Sequence, residues 1–124
     1  MHDGKMVTIE EIPGEYVTSG NQHIGSRWPI HATSTGKAML AHLPMREVGA
    51  LLSESLPSLT EKTITSAAHL RAQLAKIRDD GYAVAGEELE LGFVAVGAPL
   101  LDDNGLPVAT ISRGGTITHM TDER

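Results

Sequence analysis

The chain has 124 residues, 40% of them apolar, 21% charged and 3% aromatic, with a net charge of −6 and no cysteine. That length suits one domain burying roughly 65% of the surface its unfolded form exposes, on a core of Ala, Val, Leu, Ile and Met. The acidic balance argues against direct DNA binding, which rests on neutralising phosphates, and the lack of cysteine excludes disulfides, thiolate metal sites and a cysteine nucleophile.

No apolar run reaches the ~20 residues of a membrane helix, and the opening MHDGKMVTIEEIPG lacks a signal-peptide pattern. A cytoplasmic location is expected. In chain order, KMVTIEEI (5–12) predicts a strand, and Pro13-Gly14 a turn. A short strand is expected over 16–18 and a break at Ser19-Gly20-Asn21. IGSRWPI (24–30) should be extended, because Pro29 disfavours helix at Trp28.

The next stretch, HATSTGKAML, raises the question of a phosphate loop. Such a loop needs Gly, four residues, then Gly-Lys-Ser/Thr; here His31 replaces the first glycine and Ala38 the metal-binding hydroxyl, so that reading fails. The segment instead predicts a helix capped by Thr33 or Ser34 and running to Leu43. Pro44 can open a second helix with Val48, Leu51 and Leu52 on its apolar face.

After a loop at Leu56-Pro57-Ser58, Thr65 or Ser66 caps the surest helix, SAAHLRAQLAKIRDDG. Ala67, Leu70, Leu74 and Ile77 form its buried stripe, with Arg71, Lys76, Arg78 and Asp79 facing away. Gly81 should end it in the left-handed conformation. Three strands follow, over 82–88, 93–101 and 107–112, the last two joined by a hairpin turn at Asp102-Asp103-Asn104-Gly105 in which Asn-Gly tolerates positive φ. Strands, helices and a closing meander describe an α+β domain, helices packed on an antiparallel sheet.

Six histidines show no paired metal spacing, so no metal site and no cofactor is expected; His31 is expected to bond locally within its loop. Ser34 with His31 and one of Glu87, Glu88 or Glu90 could form a hydrolytic triad. No G-x-S-x-G elbow accompanies them, and strand alternation would put Glu88 and Glu90 on one face and Glu87 on the other, a solvated strand edge.

Three ordered blocks carry a resemblance. They are GSRWPIHATSTGKAMLA (25–41), IRDDGYAVAGEE (77–88), and AVGAPLLD (95–102) followed by Asn104-Gly105 and VATIS (108–112). Together they resemble the effector-binding domain of IclR-type bacterial transcriptional regulators over 1–124. The resemblance implies a GAF/PAS-like antiparallel sheet with helices on one face and a non-enzymatic role, sensing a small metabolite held between sheet and loops. It also implies dimers or tetramers, and DNA contact only through an N-terminal winged helix-turn-helix. That domain, and most of the last helix, would lie outside this chain.

Within that frame Ser34, Thr35 and Gly36 form a helix start facing an effector cavity, where first-turn amides suit a carboxylate or ketone oxygen. Gly36 permits close approach of ligand or of sheet, and Lys37 reads as a solvated surface charge. Trp28 either walls the cavity or covers a subunit contact. The polar anchors for small oxo acids that the resemblance implies are mostly missing: Ala85, Ala95 and Gly114 stand where relatives carry polar side chains, and only Ser112 keeps its hydroxyl. The expected effector is therefore an organic acid or aromatic compound, more apolar than glyoxylate or pyruvate. A decayed, non-binding oligomerisation domain is the rival.

Overall fold

A short ribbon opens the fold. β1 (Lys5–Val7) pairs antiparallel with β2 (Arg27–Pro29), Met6 opposite Trp28. The structure, a computed structural model, describes residues 5–7, 27–52 and 56–117. The expected strand over 16–18, the turns at Pro13-Gly14 and Ser19-Gly20-Asn21, and the rest of the 5–12 strand lie outside these residues.

α1 (Ser34–His42) follows β2. Thr33, not Ser34, is its cap: the Oγ1 accepts the Gly36 amide at 3.1 Å and donates to the Pro29 carbonyl at 2.7 Å. The helix is buried on nearly every side, which its small residues allow. Two glycines set how closely it sits. A Cβ on Gly36 would stand 2.3 Å from the Ile30 carbonyl oxygen, and one on Gly97 of the sheet 2.9 Å from the Ser34 backbone.

α2 (Met45–Leu51) starts after Pro44 and turns Val48 into the core. α3 (Ala67–Asp80) matches its sequence pattern closely. The Ser66 Oγ accepts the His69 amide at 3.3 Å, Leu70, Leu74 and Ile77 are buried, and Gly81 ends the helix at φ 85°. Burying each of those three side chains contributes on the order of 1.5–3 kcal/mol before entropy.

β3 (Ala83–Gly86), β4 (Phe93–Leu101) and β5 (Pro107–Thr116) form an antiparallel sheet in that order. The first is shorter than its expected 82–88, because the chain turns away at Glu87, a non-glycine residue at φ 59°. The last is longer than expected, reaching Thr116. The turn between β4 and β5 places only Gly105 at positive φ, so Asn104 needs no left-handed conformation. The Asp102 carboxylate holds the turn by accepting the Asn104 and Leu106 amides at 2.8 and 3.0 Å.

Cross-strand partners share a face, so the register sorts the sheet. Ala83, Ala85, Ala95 and Gly97 face α1, together with Ser112 and Gly114. Val84, Val96, Leu100 and Ile111 take the opposite face and are exposed.

Candidate functional site

Register brings three of the predicted site residues into one row. Ala85 lies opposite Ala95, and Ala95 opposite Gly114. No side-chain polar atom stands along that row. One step further, Gly97 lies opposite Ser112, and the Ser34 backbone presses on Gly97. The first turn of α1, with Ser34, Thr35 and Gly36, therefore meets the sheet at the Gly97–Ser112 rung, with the apolar row beside it. Ala85 is buried, Ala95 half-buried, and Ser112 and Gly114 exposed, so the floor opens to solvent toward β5.

Trp28 sits on β2, a strand of the separate two-stranded ribbon. It packs, half-buried, against the core from the β1–β2 ribbon. Gly36 is accounted for by the Ile30 backbone lying against it. A separate depression of about 180 Å³ opens between α3 and β3, lined by Gln73, Lys76, Ile77, Asp80, Tyr82 and Val84. Its Val84 belongs to the opposite sheet face.

Lys37 overturns its sequence reading. It is fully buried, and its Nζ donates to Glu88 Oε2 and Oε1 at 2.8 and 3.0 Å, to the Val84 carbonyl at 2.7 Å and to Gln73 Oε1 at 3.0 Å. Burial pushes the Lys37 pKa below the ordinary lysine range, while the hydrogen bond and charge of Glu88 oppose that shift. One ammonium thus ties α1 to α3, to β3 and to the corner after it. The solvated surface charge was the wrong expectation because the third acceptor is a backbone carbonyl, which no spacing in the sequence marks.

The carboxylates are corrected with it. Because β3 stops at Gly86, Glu87 and Glu88 do not alternate along a strand edge. Glu88 is buried against Lys37, and Glu87 pairs with Lys62 while accepting the Gly92 amide at 3.2 Å. The Lys62 hydrogen bond, then the Gly92 amide, hold the Glu87 carboxyl below the usual carboxylate range. Thr60 Oγ1 and Thr63 Oγ1 donate to the Glu87 and Glu88 carbonyls, pinning the loop before α3 to this corner.

His31 does not bond locally. Its Nε2 lies 2.8 Å from the Pro57 carbonyl, 26 residues away, which commits the imidazole to that loop and not to Ser34. Among the described residues no three His, Asp or Glu side chains converge as metal ligands, and no helix is long and apolar enough to cross a membrane.

Over residues 1–124 the chain matches the family described as bacterial transcriptional regulator IclR C-terminal. The protein belongs to the IclR C-terminal family. It is 34% identical over 123 residues to the transcriptional repressor IclR of Escherichia coli (strain K12), a match covering 98% of this chain and 45% of that protein. It is 39% identical over 98 residues to the p-hydroxybenzoate hydroxylase transcriptional activator of Acinetobacter baylyi, covering 77% of this chain and 36% of that one. Its fold superposes at a TM-score of 0.84 on an IclR homolog from Microbacterium hydrocarbonoxydans complexed with 4-hydroxybenzoate, at 25% identity, covering 94% of this chain and 48% of that one. The chain thus spans about half the length of such relatives, or less. IclR relatives are transcriptional regulators, not enzymes, which removes the Ser34/His31 hydrolase alternative.

Proposed function

We propose that this IclR domain senses a small organic acid with an aromatic or otherwise apolar body and thereby controls DNA binding by an N-terminal helix-turn-helix domain of the full-length regulator. The observation that carries the reading is the Ala85–Ala95–Gly114 row beside the first turn of α1. A ring or hydrocarbon body lies on such a floor without leaving a polar group unpaired. The ligand carboxylate would turn toward the Ser112 hydroxyl and the first-turn amides of Ser34 and Thr35, which a helix leaves without internal acceptors. Trp28, packed against the core from β2, would steady the ribbon that leads into the α1 start.

A glyoxylate-sized oxo acid fares worse here. Each charge-assisted hydrogen bond it cannot make forfeits about 1.5–3 kcal/mol, which over two or more such bonds amounts to at least two decades of affinity. The 4-hydroxybenzoate bound by the Microbacterium homolog supports an aromatic acid as ligand class. Self-association into dimers or tetramers and a cytoplasmic location belong to the same proposal.

Thermal denaturation against a panel of aromatic and short oxo acids tests it. A ligand at roughly 100 times its Kd stabilises by about 2.7 kcal/mol, enough to raise the midpoint by several degrees. An aromatic acid should give that rise and be recovered unchanged. No rise with any aromatic or apolar acid would contradict the reading.

A further inference from the structure

Gly114 is not simply a position that lost a polar atom. A Cβ placed on it would stand 2.6 Å from Cζ and 3.2 Å from Cε1 of Phe93, and 3.4 Å from the Ala95 Cβ. Non-bonded carbon atoms meet at about 3.5–4.0 Å, so the Phe93 ring and any side chain at 114 exclude one another in this arrangement. Phe93 begins β4 opposite Thr116, one step along the same face from the Ala95–Gly114 pair. Its half-buried ring reaches diagonally across the strands to the end of the apolar row. The chain contains only one phenylalanine, and it stands at this floor.

We propose that Phe93 is the specificity-determining residue of the effector site, its ring occupying the place of a polar side chain at 114 and packing against the ring of an aromatic acid. The inference rests on the effector-sensing reading above. An aromatic body over Ala85 and Ala95 would meet Phe93 edge-to-face or offset, the arrangements aromatic pairs favour. A small oxo acid meets the same ring as an apolar wall where it needs a hydrogen-bond donor. Phe93 and Gly114 act as one unit: the glycine makes room for the ring, and the ring removes the position from polar recognition.

Calorimetric titration of the whole chain with 4-hydroxybenzoate and with glyoxylate tests this on three variants: Phe93→Ala, Phe93→Leu and the double variant Phe93→Ala/Gly114→Ser. Circular dichroism establishes which variants are folded, and Phe93→Leu, close in bulk but without a π face, keeps the test open if Phe93→Ala is not. Phe93→Ala should weaken 4-hydroxybenzoate roughly ten-fold and Phe93→Leu several-fold, with glyoxylate no weaker in either. The double variant, with the ring gone and a hydroxyl in its place, should bind glyoxylate roughly ten-fold tighter than wild type. Unchanged 4-hydroxybenzoate affinity in both single variants would overturn the proposal and leave the sensing reading standing. Tighter 4-hydroxybenzoate binding in Phe93→Ala would overturn it too, making the ring a plug. A wild-type chain that binds no aromatic acid would remove the sensing reading and this inference together.

Discussion

Lys37 shows what a single residue can hold in this fold. Its ammonium has lost water on all sides and gained Glu88, Gln73 and the Val84 carbonyl in return. Removing one member of a buried pair leaves the other charge uncompensated, which costs about 3–5 kcal/mol, whereas replacing both with apolar groups is often close to neutral. Lys37→Met should therefore destabilise by about that much in urea denaturation, and Lys37→Met/Glu88→Leu should recover part of the loss; a double variant no more stable than the single would contradict the coupling. Glu87 makes a gentler and pH-dependent contribution. Its folded-state pKa is depressed, so its contribution is present above the ordinary glutamate value of about 4.3 and fades as pH falls through the folded value. The gap in thermal midpoint between wild type and Glu87→Gln should narrow as pH is lowered below about 4, and should shrink with salt because Lys62 is exposed. A gap that widens on acidification would reverse the sign.

Elements were legible where local chemistry decides them. α3 follows from its apolar stripe, Ser66 and Gly81, and each of those signals acts within a turn or two of the chain. Leu74→Ala, which empties part of that buried stripe, should cost 2–5 kcal/mol by chemical denaturation; a change under 1 kcal/mol would mean the stripe does not seat against the core. β3 was misread because no turn signal in the sequence marks its end at Gly86, while the corner after it is held by distant partners, Lys62 and Lys37. His31 was misread for the same reason, since its acceptor lies in the loop before α3. The candidate site was legible as residue types, and only register sets three of them side by side. Ala85, Ala95 and Gly114 form one row because the strands pair as they do, and the Phe93 ring at Gly114 is a diagonal contact that no spacing announces.

At the scale of the molecule, the sheet separates two surfaces. The face toward α1 carries the apolar row, and the opposite face exposes Val84, Val96, Leu100 and Ile111. The proposed self-association would use an exposed apolar face of this kind, and light scattering should then find the chain self-associated; a strict monomer at high concentration would count against that. On the proposed reading the face toward α1 matters most, because an apolar floor beside a helix start would select an acid by its body as well as by its charge. The most direct measurement is a side-by-side calorimetric titration of the wild-type chain with 4-hydroxybenzoate and glyoxylate in one buffer. 4-Hydroxybenzoate should bind at least roughly a hundred-fold tighter. Glyoxylate binding well below millimolar with 4-hydroxybenzoate inert would contradict it.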